Sequence, residues 1–370
     1  MELVHEIEPA TAAPPVRRVA FLFTRLSGYI AACLKTLKER HGVELLVVRQ
    51  PPAQEAPFAA AYFDWIDALH DRRALGPAEL DDVLRRFDPQ AVYLSGWSDR
   101  GYLQVARRLR KRGAVVVAGS DTQWSGSLRQ QVGRLIAPVY LHPAIDALWV
   151  PGERQRWLAA KLGFTGERCW EGVYACDWAR FAEAYHRTRG DRPRAFLFVG
   201  RYVPVKGLDV LTDAYRIYRT RVSRPWPLLC AGAGAYKPLL AEQDGIVDMG
   251  FVQPDALAGL MERASAFVLP SKREPWGVVV QEAAASGLPV LCSEACGAAV
   301  HLLRDGYNGF LFETGNAAHL AQGMVRVSEA SDEQWAAMSL HSHLLSKQFT
   351  PQRWADTLVS GVQALRPKTG

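Results

Sequence analysis

Residues 273–291 read REPWGVVVQEAAASGLPVL. The segment ends in an apolar run, LPVL, that has the character of a buried strand. Ahead of it lies a stretch of small and apolar residues without a breaker, which suits a helix. Pro275 favours a helix start, because the first helical residue needs no backbone donor. A helix feeding a continuous apolar strand is the repeating unit of a parallel sheet covered on both faces.

The same alternation runs through the whole chain. RVAFLFT (18–24), VELLVV (43–48), AVYLSG (91–96), AVVVAG (114–119) and ALWVPG (147–152) read as strands in the first half. RAFLFVG (194–200), PLLCAG (227–232), IVDMG (246–250), AFVLP (266–270), LPVLC (288–292) and GFLFE (309–313) read as strands in the second. Helical stretches lie between them. The polar stretch AEAYHRTRGDRP (182–193) breaks the pattern and is placed as a linker. The expected fold is therefore α/β, with two Rossmann-like doubly wound parallel-sheet domains facing across a cleft. The expected divisions are a disordered leader at 1–17, a first domain at 18–182 and a second at 183–350. A last helix over 351–370 either covers a sheet edge or crosses back to the first domain.

The bulk numbers agree with this. At 370 residues the chain is too long for one ordinary core. It is 49% hydrophobic and 22% charged, within the globular range. No apolar run is long enough for a membrane span, and MELVHEIEPATAAPPVRR lacks the apolar region of a secretory signal. Six cysteines without paired spacing read as buried free thiols in a reducing cytoplasm. The net charge is +6, with the excess concentrated in residues 1–190. That is too modest for nucleic acid but compatible with an anionic substrate or an anionic membrane surface. The basic run at Arg107, Arg108, Arg110, Lys111 and Arg112 is either a solvated helix face or a place for such a surface.

Two carboxylates, Glu274 and Glu282, sit eight positions apart in the opening stretch. With Glu274 at the helix start and Glu282 two turns in, they stand about 10–12 Å apart along the axis. The N–H groups of Trp276, Gly277 and Val278 belong to the same helix start, and Gly277 permits close approach to the backbone. Hydroxyls at the carboxylates and an anion at the helix end describe one ligand: a sugar, a diphosphate and a ribose in a row. GRYVPVKG (200–207) places Arg201 and Lys206 at the carboxyl end of the first strand of that domain. Ligands bind at such strand ends, and these two cations suit phosphate oxygens. Gly232 and Gly234 in CAGAG (230–234) are consistent with a close backbone approach, and equally with a tight turn.

Together, EPWGVVVQEAAASGLPVL, GRYVPVKGLDVL, SEACGAAVHLLRDGYNGFLFETGN and AIDALWVPGERQRWLAAKLGF resemble the retaining glycosyltransferases of family 4, also called group 1, with the GT-B fold. The resemblance covers roughly residues 144–330. It implies that Glu274 binds donor-sugar hydroxyls and Glu282 the donor ribose. It implies that Arg201 and Lys206 neutralise the diphosphate, and that Gly277, Val278 and Val279 contact sugar and phosphates. Phe251 and Val252 then lie where the family holds the base. It further implies a UDP- or GDP-linked sugar as substrate, with no cofactor. Nine histidines without metal spacing and the lack of an Asp-x-Asp lead to the expectation of no metal. The acceptor would be a glycan, a lipid-linked or a small-molecule hydroxyl compound, in polysaccharide, lipopolysaccharide or glycolipid assembly. The expected location is cytoplasmic, with peripheral contact at the inner membrane face as an option. Two alternatives share the fold: a sugar-nucleotide 2-epimerase and a non-catalytic nucleotide-sugar-binding subunit.

The first domain departs from the family. TRLSGYIAA carries Gly28 alone where many members have two glycines, and AGSDTQWSG carries Asp121 where many have a histidine. Asp121 is read as the first-domain group that meets the sugar or acceptor, or as a cap for the following helix. Trp97 and Asp99 in SGWSDRGY (95–102) are read as lining the acceptor side, with plain packing as the other reading of Trp97.

Overall fold

The computed structural model describes residues 15–24, 26, 28–50, 63–188, 192–241 and 243–366. Most of the expected leader and residues 189–191 of the expected linker lie outside these.

The first domain is a seven-stranded, wholly parallel sheet. Its strands are β1 (Arg18–Phe23), β2 (Glu44–Arg49), β3 (Ala68–Asp71), β4 (Ala91–Leu94), β5 (Val115–Gly119), β6 (Ala147–Val150) and β7 (Cys169–Glu171), in the order β3-β2-β1-β4-β5-β6-β7. Alternate residues of β1 enter different cores. Val19, Phe21 and Phe23 pack with the helices Tyr29–His41 and Pro351–Leu365, whereas Ala20 and Leu22 pack with Leu80, Leu84 and Leu103. Both faces are therefore covered, as the continuous apolar run required. The short edge strands β3 and β7 escape sequence reading, because ALHD and CWE are too brief and too mixed to show a pattern.

The second domain is a six-stranded parallel sheet made of β8 (Phe196–Val199), β9 (Leu228–Ala231), β10 (Ile246–Gly250), β11 (Ala266–Leu269), β12 (Val290–Ser293) and β13 (Gly309–Phe312). Its order is β10-β9-β8-β11-β12-β13. In each sheet the order reverses beside the first strand, between β1 and β4 and between β8 and β11, which opens a crevice at the strand carboxyl ends.

The core changes hands near residue 176. Val173 and Ala175 belong to the first domain, Cys176 and Phe181 to the second. The helix Trp178–Arg187 thus packs in the second domain, and the expected division at 182/183 and the start of the expected linker fall inside it. The last helix, Pro351–Leu365, returns to the first domain, where Trp354 is buried. All six cysteines are unpaired; Cys169 is half-buried and the others are buried. Among the described residues no helix is long and apolar enough to cross a membrane.

Candidate functional site

The helix in the opening stretch begins later than its proline suggests. It spans Val278–Ala285, and Glu274 instead forms an isolated parallel bridge with Cys296. The change of course occurs at Gly277, whose φ of 100° lies in the left-handed region and which caps the helix. A side chain there would be strained and would press on Cys296 Sγ and Glu274 Cγ. Glu274 is therefore fixed by loop geometry rather than by the first turn of a helix, and its spacing from Glu282 is not set by helical rise.

Glu274 is 8% exposed. Its Oε2 accepts hydrogen bonds from Lys206 Nζ and, at 3.2 Å, from Ser271 Oγ. Lys206 closes the short 3-10 turn Pro204–Lys206 after β8. The structure thus brings together the expected sugar-binding carboxylate and the expected phosphate-binding lysine. Arg201 lies at the exposed rim of the same loop. Glu282 is half-buried on its helix, and burial pushes its carboxyl up to about 7. Val278 and Val279 are half-buried at the start of that helix, where the first-turn N–H groups have no intrahelical acceptor. Phe251 is exposed and Val252 half-buried, directly after β10.

Gly232 has a structural reason for its identity. A Cβ there would lie 1.9 Å from the Gly200 carbonyl oxygen and 2.8 Å from the Tyr202 ring. The close approach it permits is between the loops after β8 and β9.

The first domain contributes a cavity of about 1170 Å³ at the carboxyl ends of β1, β4 and β5. Thr24, Tyr29, Trp97, Asp121 and Tyr174 are in its wall. Asp121 is held by Tyr174, whose hydroxyl donates to Oδ2 at 3.3 Å. Burial raises the Asp121 carboxyl above the usual range. The Tyr174 hydrogen bond opposes this, and the negative charge of Glu274 across the cleft adds to it. Asp121 does not cap a helix, since the next one spans Leu128–Tyr140 and begins after Ser127. Asp99 does cap one: its carboxylate accepts from the Tyr102 N–H at 3.1 Å and pairs with Arg72 at 3.6 Å. It is not in the cavity wall. Gly28 is buried at the head of the helix Tyr29–His41, and its neighbour Tyr29 reaches the cavity instead.

The two halves meet beside Glu274. The Pro275 carbonyl accepts from Gln123 Nε2 at 3.2 Å and from Gln155 Nε2, both first-domain side chains. Tyr174, Gln123 and Gln155 were not singled out from sequence. Each lies in a loop or a helix head whose only signal is its nearness to a strand end. Among the described residues no group of three or more His, Cys, Asp or Glu is placed to hold a metal.

Residues 193–330 match the family model described as glycosyl transferases group 1. The phosphatidyl-myo-inositol mannosyltransferase of Mycobacterium leprae is 29% identical over 274 residues, covering 72% of this chain and 70% of that protein. A D-inositol 3-phosphate glycosyltransferase of Streptomyces bingchenggensis is 35% identical over 147 residues, but this spans 36% of the chain and only 32% of the relative. Among solved structures, Anabaena HepE in complex with UDP and glucose superposes with a TM-score of 0.70 at 16% identity, over 94% of this chain and 99% of that one. That likeness establishes the GT-B fold.

Proposed function

We propose, from the premise that the chain belongs to the group 1 glycosyltransferases, that it moves a sugar from a nucleoside-diphosphate donor to a hydroxyl acceptor with retention at the anomeric carbon. The observation that carries the proposal is the Lys206–Glu274 pair facing Asp121 across the cleft. In the donor complex, Lys206 turns from Glu274 to the diphosphate together with Arg201, and Glu274 takes sugar hydroxyls. The acceptor oxygen forms the new bond to the anomeric carbon. The bond to the diphosphate oxygen breaks, and its electron pair leaves on the nucleoside diphosphate. The acceptor proton passes to that phosphate or to solvent. Charge on the leaving group is met by fixed cations, which need no rearrangement as it develops. The reaction on this reading needs no metal, because Arg201 and Lys206 supply the positive charge.

Glu282 takes the ribose, and Phe251 and Val252 flank the base. The fold neighbour crystallised with UDP and glucose supports a uridine donor, and the relatives named for inositol compounds support a hydroxyl-rich acceptor. A glycan or glycolipid product fits the same reading. The test is a thermal-shift panel of nucleoside diphosphates and their sugars, followed by product analysis. One donor should raise the melting temperature by mass action and yield transfer or slow hydrolysis to free sugar. Binding with an epimer as the product, or with no turnover at all, would overturn the proposal.

A further inference from the structure

The helix Leu128–Tyr140 wears its apolar side outward. Leu128, Val132, Leu135, Ile136 and Val139 are spaced so that they form one stripe about 100° wide. Such a stripe ordinarily faces a core, yet these five residues are 85%, 56%, 77%, 50% and 80% exposed. Elsewhere on the helix Gln130 and Gly133 are half-buried, and Ala137 alone is buried. Arg107 holds the helix end, donating from Nη2 to the Tyr140 carbonyl at 2.7 Å and lying 5.4 Å from the Tyr140 ring centre. A contiguous apolar patch of this kind marks contact with a protein or a lipid.

Two further observations choose between those. The first is charge. No acidic residue occurs between Asp121 and Asp146, and the exposed Arg129 and Arg134 flank the stripe. Lys111, one turn beyond Arg107 at the end of the adjoining helix, and Arg112, just after it, are exposed too. An apolar face edged with arginine is the pattern of a helix lying in an anionic lipid interface. The second is continuity. Leu128, Val132, Ile136 and Tyr140 are also in the wall of the cavity that contains Asp121. An apolar chain resting on the stripe would have its polar head directed toward that carboxylate.

We propose that the helix Leu128–Tyr140 seats in the surface of an anionic bilayer and that the acceptor hydroxyl is carried by a lipid of that bilayer, entering the cavity over this helix. The acceptor class rests on the sugar-transfer reading above; the lipid contact does not.

The full chain is sedimented with phosphatidylcholine vesicles with and without phosphatidylglycerol, alongside the double variant Leu135→Glu/Val139→Glu. Neither residue is in the cavity wall, so nucleotide binding should be the same in both proteins. The parent should pellet with the anionic vesicles, and the double variant should bind about tenfold or more weakly. Arg134→Gln should lessen the salt sensitivity of binding. Failure of the parent to bind vesicles would overturn the lipid contact. So would a concentration-dependent dimer that the double variant abolishes, since a second copy would then be the occupant. Transfer to a water-soluble hydroxyl compound with none to a lipid acceptor would overturn the acceptor class. Vesicle binding without stabilisation by any donor would instead count against the sugar-transfer reading alone.

Discussion

Glu282 is a carboxylic acid that burial holds near pH 7. On the proposed reading a donor ribose hydroxyl meets this carboxyl and donates best to its ionised form, so donor binding should release a proton and strengthen as pH rises. With a carboxyl at about 7, the ionised fraction grows about tenfold between pH 6 and 8, and the apparent dissociation constant of an intact nucleotide sugar should fall by about that factor. Above pH 8 the affinity should level off. Glu282→Gln should abolish the slope, as measured by calorimetry in two buffers. A flat parent profile would remove Glu282 from the ribose site. For Asp121 the informative change is Asp121→Asn. Asparagine can still accept from Tyr174, and no helix depends on Asp121 for a cap. Transfer should drop by about ten- to a hundredfold, with donor affinity and melting temperature nearly unchanged. Full activity would leave the first-domain partner of the sugar unidentified. Glu274, Lys206 and Glu282 were legible from sequence as candidates only, because their types and order suit the chemistry proposed for them. The Tyr174–Asp121 bond was not, because it joins two loops 53 positions apart.

At the level of elements, sequence reading places all six strands of the second sheet and five of seven in the first. Buried parallel strands are the strongest signal in the chain, and two short edge strands are the weakest. The start of the helix at Val278 was misplaced for a different reason: a proline marks where a helix can begin, and the left-handed Gly277 marks where this one does. The arginines of the helix Arg100–Lys111 also read differently in place. Arg108 pairs with Asp81 and Arg110 with Asp146, so part of that run is spent on the protein itself. The loops after β8 and β9 give a clean test of packing. Gly232→Ala would set a methyl group 1.9 Å from a backbone oxygen. Relief requires the two loops to part, at a cost of about 1–3 kcal/mol. The melting temperature should fall, and nucleoside diphosphate affinity should weaken as Arg201 and Lys206 shift with their loop. Unchanged values for both would show that the loops are free to separate.

The whole molecule is tied by two crossings, one near residue 176 and the other into the helix Pro351–Leu365. The second crossing makes the last helix of the chain a part of the first domain's core. Trp354 is the reason it stays there. Its ring stacks on Trp149 with centres 4.8 Å apart and lies 6.1 Å from Phe21, and its indole N–H donates to the Val173 carbonyl at 2.9 Å. The same helix also presents Asp356 to Arg40 and His41, each at 2.9 Å, but that pair lies at the surface. Solvent screens such an ion pair, while a buried aromatic ring leaves a void when removed. Trp354→Ala should therefore cost about 3–5 kcal/mol. Asp356→Asn should leave the melting temperature close to that of the parent. The loss should be uneven, because Trp354 packs with the first sheet while the residues proposed to bind the donor sit on the second. Limited proteolysis of Trp354→Ala should cut first within residues 18–175. A nucleoside diphosphate should still protect the second domain. Equal protection of both domains, or a larger effect from Asp356→Asn, would mean that the crossing is held by its surface charges and not by its core.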